Sequence, residues 1–290
     1  MDTLPFALVL TSIFTHAYWN YLIKSSQNKH VFTALSKLAE ITIFSIPAVY
    51  FLMTTGFKME FLLLISVAAS ITFLNYFFLA SAYKHGDLSL VYPVSRSSIL
   101  FLPIIAFYFI DERIDIVGLS AILMILLGTF VMHMESLDKR GIQTIVKNVN
   151  NKGSAYAILA ALAVAGYTLW DKISISKMEP FLYFYLYTFL VAILYNTTTF
   201  LKFDKEEIKK EWSLNRSEII QVGFFNSFTY ILILTALTMS KATYVGGLRQ
   251  LSIVIGAFLG YKLLGEKMGL PKVIGIAISV VGGSLIYLAK

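Results

Sequence analysis

The stretch SLVYPVSRSSILFLPIIAFYF, residues 89–109, places an arginine inside a run that is otherwise apolar or weakly polar. A guanidinium group can bind a carboxylate or a phosphate through two parallel hydrogen bonds. Tyr92 lies one helical turn before Arg96 and therefore on the same face of a helix. The pattern indicates an anion-binding group, and the alternative is a structural ion pair of Arg96 with Glu40 or Asp171.

Two segments combine a basic residue with irregular backbone. Pro93 removes one backbone donor just before Arg96, which loosens the helix and leaves a carbonyl oxygen free for a ligand or water. In the second half of the chain, Arg249 follows a pair of glycines and precedes Gln250. The sequence therefore predicts a second basic position of this kind, one residue out of register with Arg96.

A polar stripe runs along the first apolar segment, because Ser12, His16, Asn20 and Lys24 recur at intervals of four. This spacing gathers the four side chains on one side of a helix. Histidine titrates near neutral pH, so one hypothesis is that His16 binds and releases a proton as part of the function. The alternative is a histidine that only hydrogen-bonds to its neighbours.

Aromatic and amide side chains in other apolar segments complete the candidate solute-binding set. Trp19 and Trp170 form aromatic walls in one interpretation and anchors at the membrane interface in the other. Further hydrogen-bonding groups recur in segments that correspond between the two halves of the chain: Asn75, Tyr76, Asn226 and Tyr230.

Carboxylates inside apolar segments are candidates for groups that bind and release a proton. Lys37 lies three residues before Glu40, so the two can pair across one helical turn. Either Glu40 or Asp171 is predicted to bind and release the coupling proton, and the sequence does not choose between them. Three positions at a predicted kink or at helix ends are assigned gating or structural roles: Pro93, Glu112 and Glu266.

The composition indicates the environment of these groups. Hydrophobic residues make up 57% of the chain, charged residues 14%, and the mean hydropathy is +0.72. Soluble domains are rarely this apolar, and about 20 apolar residues suffice to cross a bilayer. We therefore predict an all-α polytopic membrane protein. Its ten predicted transmembrane helices lie at residues 4–23, 31–54, 61–82, 88–110, 116–134, 154–172, 180–201, 217–239, 242–263 and 270–289. In one of them, Gly256 and Gly260 are typical of a helix-packing face.

An internal repeat organises these spans. At a constant offset of 154 residues, Tyr76, Ala82, Val91, Ser98, Ile99, Glu112 and Gly128 are matched by Tyr230, Ala236, Val245, Ser252, Ile253, Glu266 and Gly282. Each half holds five predicted spans, an odd number, so the second half must enter the membrane with the opposite orientation. The predicted units are a first five-helix repeat at 1–134, a connecting loop at 135–153 and a second, inverted repeat at 154–290.

Several classes of function are disfavoured by the composition and motifs. The chain has no cysteine, and its four histidines show no metal-ligand spacing, so we predict no metal site and no cofactor. The net charge of +7 does not predict nucleic-acid binding, because basic residues of membrane proteins concentrate in loops. The chain contains no P-loop motif, so transport would be driven by protons or by exchange.

The motifs HAYWNYLIK at 16–24 and GDLSLVYPVSR at 86–96, the glutamate-bearing turns and the two five-helix halves resemble the drug/metabolite transporter superfamily, in its EamA-like branch. The resemblance implies a secondary transporter, not an enzyme, in the plasma (inner) membrane of a prokaryote. It implies export of a small polar or anionic metabolite such as an amino acid. The alternatives are a membrane-embedded enzyme and a receptor or scaffold.

Two features of the topology stay open in the sequence. Lys and Arg concentrate in the loops opposite the termini, which predicts that both termini lie outside, whereas the resemblance implies that both lie in the cytoplasm. One of these loops, the charged segment 202–216, is either a short helix along the membrane interface or a solvated connector.

Overall fold

The computed structural model describes residues 1–86, 88–134, 136–138, 151–265 and 267–289, without the side chains of 88–90 and 264. Over these ranges the regular structure is entirely helical. The first seven helices are α1 Thr3–Ser25, α2 Lys29–Ile43, α3 Ser45–Thr55, α4 Glu60–His85, α5 Leu88–Ser95, α6 Ser98–Ile110 and α7 Ile116–Met132. The other six are α8 Lys152–Ser174, α9 Pro180–Lys202, α10 Lys205–Met239, α11 Ala242–Arg249, α12 Ser252–Leu264 and α13 Leu270–Leu288.

Within the described ranges, seven segments are long and apolar enough to cross a membrane: α4, residues 91–110, α8, α9, α10, residues 242–263 and α13. The pair α2 and α3 forms an eighth if its 49° bend is counted within one span. The other two predicted spans, 4–23 and 116–134, do not meet these requirements of length and hydropathy. Helix α1 carries the polar stripe that contains His16 and Asn20, and α7 has only 17 residues.

Large apolar side chains cover much of the outer surface, including Ile46, Met53 and Leu201, each more than 80% exposed. In water such a surface would promote aggregation, but lipid tails solvate it. Together with the apolar helices, this surface identifies an integral multi-pass membrane protein. The amino group of Met1 donates to the carbonyl oxygens of Tyr287 and Ala289, so α1 starts beside the end of α13.

Two helices are interrupted close to the middle of the molecule. Helix α5 ends at Ser95 and α6 begins at Ser98, so Arg96 lies in the break. Helix α11 ends at Arg249 and α12 begins at Ser252. Backbone groups released at such breaks need other partners, which is why broken helices inside membranes line cavities or face protein.

Helix pairs drawn from the two halves of the sequence build the core. Helix α7 packs along α13, α4 along α8, and α1 along α10. Glycine permits the closest of these approaches: a Cβ on Gly275 would collide with the backbone of Gly128 and Met132 on α7. Gly256, predicted to lie on a packing face, instead meets open space in α12, with no neighbouring atom within 4 Å.

The charged segment 202–216 is helical over most of its length. Asp204 caps α10 by accepting from the backbone N–H of Glu207, and Glu207 accepts from the backbone N–H of Asp204 in return. Helix α10 is then interrupted at Asn215, whose backbone is not helical. The segment is thus a short helix joined to the membrane-spanning part of α10 by a kink.

Candidate functional site

A central cavity of about 240 Å³ lies between α1, α4, α5, α6, α8 and α11. Its lining runs along α1 from Ser12 to Asn20 and along α4 from Asn75 to Tyr83, so it occupies the middle and the half of the molecule away from the termini. Nine residues predicted to contact a solute line this cavity: His16, Trp19, Asn20, Asn75, Tyr76, Tyr92, Arg96, Arg249 and Gln250.

Arg96 enters the cavity from the break between α5 and α6. Its Nη2 group donates to the Tyr92 hydroxyl at 3.0 Å, and its guanidinium carbon lies 5.0 Å from the centre of the Tyr92 ring. The described residues place no carboxylate within ion-pair distance of Arg96, so the predicted structural pairs with Glu40 and Asp171 are not formed. Four of the five donors of a guanidinium therefore have no described protein acceptor.

Arg249 approaches the same cavity from the other broken helix. Its guanidinium carbon lies 5.6 Å from the centre of the Tyr230 ring, which is a cation–π distance. It is the last residue of α11, where the exposed carbonyls of a helix C-terminus favour a positive charge. The two arginines thus occupy corresponding places, each at the end of the first part of a broken helix.

The polar stripe of α1 supplies one wall of the cavity. His16 packs edge-on against Trp19, with ring centres 4.8 Å apart. The indole Nε1 of Trp19 is buried and has no partner among the described residues. Asn20 donates its amide to the backbone carbonyl of His16 at 2.7 Å.

Amide groups from other helices complete the polar lining. Asn75 donates to the carbonyl of Ala160 at 3.1 Å, which ties α4 to α8. Gln250 is 7% exposed, and its amide donates to the Ser98 hydroxyl at 3.3 Å across the two helix breaks. Its Oε1 atom is buried and has no partner in the described part of the chain. Gln250 therefore lies at the cavity wall with a buried acceptor that no described group satisfies.

Three predicted solute-binding residues lie outside the cavity lining. Trp170 donates its indole N–H to the Leu64 carbonyl at 2.9 Å and packs against the apolar core, not across a solute path. Asn226 donates to both carboxylate oxygens of Glu40 at 3.1 Å. Tyr230 donates to Asp171 at 2.5 Å and meets the cavity only through the Arg249 guanidinium above its ring.

The two candidate coupling carboxylates have different surroundings, although each is only 2% exposed. Glu40 pairs with Lys37 at 2.7 Å and accepts from Ser227 at 2.9 Å in addition to Asn226. Asp171 has no cation within 4.0 Å in the described chain and accepts from Tyr183 at 2.7 Å besides Tyr230. Glu40 is thus neutralised by a fixed lysine, whereas Asp171 is held by two phenols.

The predicted gating and structural positions are only partly described. Pro93 is buried within α5, one turn before the break. The carboxylate of Glu112 accepts from the backbone N–H groups of Ala242 at 2.7 Å and Thr243 at 2.9 Å, so it caps α11 from the other half of the chain. A carboxylate at a helix N-terminus is favoured by the helix dipole. Glu266 lies outside the described residues.

Comparison with protein families gave a match for the second half of the chain. Residues 151–288 match the EamA-like transporter family. They form an EamA-like transporter domain. This domain contributes Arg249 and Gln250 to the cavity, and the match confirms the resemblance indicated by the sequence motifs.

The whole chain, not only its EamA-like domain, shares a fold with a solved protein. One crystal structure of a protein superimposes with a TM-score of 0.71 over 98% of this chain and 96% of the other, at 15% sequence identity. At that identity the likeness concerns the fold alone. Comparison with curated proteins gave no match.

Sequence reasoning missed two tyrosines that face the cavity. Tyr167 from the EamA-like domain and Tyr83 from α4 both line it. A signal exists at each position: Tyr83 follows Tyr76 by seven residues, two helical turns, and Tyr167 follows Ala160 by the same interval. Both helices are apolar all round, so this spacing does not stand out without knowing which face is internal.

A second and larger cavity, of about 830 Å³, opens beside the termini. Its lining includes Glu112 and also Lys172 of the EamA-like domain, whose Nζ donates to the carbonyls of Leu237 and Ser240. These two charged groups cap the ends of α10 and α11 around their connection. They close the side of the molecule opposite the half that holds the central cavity.

The chemistry available in the central cavity is recognition of anions. Its charged lining residues are the two arginines, and no aspartate or glutamate is among its described lining residues. Throughout the described ranges, no three His, Asp or Glu side chains gather into a metal-binding group. Guanidinium and indole donors bind carboxylate or phosphate oxygens, and the tyrosine rings provide apolar walls.

Proposed function

We infer that the protein is a secondary transporter that moves a small polar or anionic metabolite by alternating access, with amino acids as one candidate class. The observation that carries this inference is the Arg96 guanidinium, which faces an internal cavity without a carboxylate partner in the described chain. A charge at the centre of a membrane helix costs about 2.5–3.5 kcal/mol on insertion scales, so it is rarely kept without a use. EamA family membership of residues 151–288 supports transport of small solutes.

The proposed architecture is two inverted five-helix halves, residues 1–134 and 154–290, joined by the segment 135–153, whose last two residues already belong to α8. In this architecture α1 corresponds to α8, α4 to α10 and α6 to α12. The helix contacts support it, because each contact between two helices recurs between the two corresponding helices. The contact of α1 with α10 is mirrored by that of α8 with α4, and the contact of α1 with α12 by that of α8 with α6. The pairs α7 with α13 and α2 with α9 each join counterparts directly. This pattern supports ten crossings, with α1 and α7 among them.

Alternating access follows from this arrangement as a rocking of the halves around the cavity. On the terminal side, the cap of Glu112 on α11 joins the halves and must be released before that side opens. On the other side, the cavity already extends to Asn20 and Tyr83, whose side chains are exposed. We assign Glu112 the role of a gate.

For the direction and the driving force, we propose proton-coupled export across the plasma (inner) membrane of a prokaryote. Asp171 is the better candidate for the coupling group. Glu40 is already compensated by Lys37, whereas Asp171 accepts from two phenols, forms no ion pair among the described residues and is bound by Tyr230, whose ring contacts Arg249. A proton on Asp171 would alter the field at Arg249 and hence its affinity for an anion.

The first test is counterflow in proteoliposomes with labelled amino acids, organic acids, sugars and nucleosides. Wild type, Arg96→Gln and the control Tyr108→Phe, on the exposed face of α6, are compared at equal amounts of folded protein. We expect exchange of a carboxylate solute by wild type and the control, and at least a tenfold loss in Arg96→Gln, because hydrogen bonds to charged groups contribute about 1.5–3 kcal/mol.

Each outcome has a distinct meaning. Equal exchange by wild type and Arg96→Gln would retain the transporter and make Arg96 structural. Absence of exchange for the whole panel by folded protein would refute the transporter and favour a receptor, a scaffold or a membrane-embedded enzyme.

A further inference from the structure

Both arginines of the central cavity act on the same small space. Arg96 comes from the break between α5 and α6, and Arg249 from the break between α11 and α12. Both line the cavity of about 240 Å³, and both guanidinium groups lie close enough to His16 and Tyr167 to act on them electrostatically. A pocket of this size is smaller than the roughly 300–1,000 Å³ sites that hold drug-sized ligands. One small solute can therefore meet both charges.

The described residues form no ion pair with either guanidinium group, although the Asp171 carboxylate, bound by Tyr230, acts on Arg249 electrostatically. None of the described lining residues is an aspartate or a glutamate. The nearby buried carboxylates are engaged elsewhere: Glu40 with Lys37, Asn226 and Ser227, and Asp171 with Tyr183 and Tyr230. A monoanion would balance only one of the two guanidinium charges. An amino acid zwitterion would bring its ammonium group next to the second arginine.

We propose that the cavity binds a small solute with two anionic groups, one held by Arg96 and the other by Arg249. This narrows the proposed transport function and rests on it. Because the arginines come from different halves of the chain, such a solute would bridge the two moving parts. Binding of one anionic group alone would leave the other arginine without a counterion inside the membrane.

Two buried polar atoms without described partners narrow the expected class of solute further. The indole N–H of Trp19 provides another donor for an anionic oxygen. The Oε1 atom of Gln250 is an acceptor, oriented by the bond from its amide to Ser98, and needs a donor from the solute. A hydroxyl supplies that donor without adding positive charge beside two arginines. The favoured class is therefore a short hydroxylated dicarboxylate.

The test is counterflow against labelled malate in proteoliposomes, with competitors paired by charge. Succinate is compared with butyrate, malate with succinate, and aspartate with asparagine, while a phosphorylated hydroxy acid such as 3-phosphoglycerate distinguishes phosphate from a second carboxylate. We expect each dicarboxylate to compete at least tenfold better than its monoanionic or neutral partner. We also expect malate to exceed succinate by a smaller factor.

A pair of matched variants tests whether Arg249 binds the second anionic group of the solute. Arg249→Gln should reduce the preference of succinate over butyrate to nearly one, because one guanidinium then remains. Arg216→Gln, which alters an exposed arginine on α10, should leave the preference unchanged. Thermal unfolding with and without malate verifies that each variant is folded and shows binding independently of transport.

The results separate this proposal from the broader one. Exchange of monoanions or neutral amino acids as fast as dicarboxylates would overturn the dianion proposal and leave the transporter intact. Failure of folded protein to exchange any member of the panel would overturn both. An unchanged charge preference in folded Arg249→Gln would show that Arg249 does not hold an anionic group.

Discussion

Among the described residues, the side chain of Arg96 is held by Tyr92, through the hydroxyl and the ring. Most of the donors of this guanidinium have no described acceptor, so they are available to a ligand, and the direction of the group depends on Tyr92. The support is local, because Tyr92 lies in α5 four residues before Arg96, which follows the end of that helix. Loss of the hydroxyl should therefore change the geometry of the site without changing its charge.

The first prediction concerns Tyr92→Phe, which keeps the ring and removes the hydroxyl. We expect the apparent KM for the transported anion to rise about three- to tenfold, since a single hydrogen bond contributes about 0.5–1.5 kcal/mol. Concentration dependence of counterflow measures this change. Tyr108→Phe, at a residue 78% exposed on α6, should leave KM unaltered. An unchanged KM in Tyr92→Phe would mean that Arg96 is oriented by other groups.

The second prediction concerns the pair of Lys37 and Glu40. Glu40→Gln removes one member of a buried ion pair and should lower the free energy of unfolding by about 3–5 kcal/mol. Lys37→Met combined with Glu40→Gln should recover at least half of that loss, because no unpaired charge remains. The midpoint of thermal unfolding in detergent measures both effects. A double variant less stable than Glu40→Gln would contradict the structural role of the pair.

At single positions, nine of the twelve residues predicted to contact a solute line the central cavity. Charged and amide groups inside apolar segments are costly, so their presence marks internal faces. Asn226, Trp170 and Tyr230 were predicted on the same grounds and lie outside the lining. A polar side chain in a membrane helix needs a hydrogen-bond partner, but that partner can belong to the protein. Asn226 donates to Glu40, and Trp170 donates to the Leu64 carbonyl.

At the scale of helices, glycine determines how closely α7 and α13 approach. Gly128, Gly275 and Gly282 all lie at this crossing, and two of them are the repeat-related pair at an offset of 154 residues. Close backbone approach replaces the hydrophobic driving force that lipid cannot supply. The two glycines that are matched in the predicted repeat therefore lie at the same helix crossing.

The third prediction compares two glycine substitutions. Gly275→Ala should lower the free energy of unfolding by about 1–3 kcal/mol, because its methyl group would meet the backbone of α7. Gly256→Ala, at a helical glycine with open space around it, should be neutral or stabilising by up to about 1 kcal/mol. Equal midpoints of thermal unfolding for the two variants would show that the α7–α13 crossing adapts easily.

The helical class and the position of nearly every apolar segment followed from hydropathy, whereas the helix breaks did not follow fully. Pro93 signalled the interruption after α5, because proline removes a donor. The interruption after α11 has no proline, whereas the 49° bend between α2 and α3 at Phe44 lies just before Pro47, which cannot donate to the Ile43 carbonyl. The position of the interruption after α11 depends on tertiary packing, which a single segment of sequence does not contain.

At the scale of the whole molecule, the terminal side is closed by contacts between the halves, among them the cap of Glu112 on α11. Both cap bonds are made to backbone N–H groups in the first turn of α11. The central cavity and the cavity beside the termini are consequently separate spaces in this conformation.

The fourth prediction concerns this closure. The chain has no cysteine, so Ser12→Cys introduces a single thiol into the central cavity. In that background, Glu112→Gln should raise the rate of labelling by an impermeant maleimide from the terminal side about tenfold, because weakening a charged cap by about 1.4 kcal/mol changes an equilibrium by that factor. Glu60→Gln, at an exposed helix start on α4, is the control. Identical labelling in both variants would exclude Glu112 as a gate.

The glycine crossing of α7 and α13 also bears on how motion in this protein should be observed. Two helices in backbone contact along their length can roll on one another more easily than they can separate. We therefore expect the two halves to rotate relative to one another about an axis close to the contact of α7 with α13. Spin labels or fluorophores placed across it would report nearly constant distances throughout the cycle. One label on α7 or α13 therefore serves as a fixed reference. The second label should be placed on α5 or α11, where we expect the distance to change.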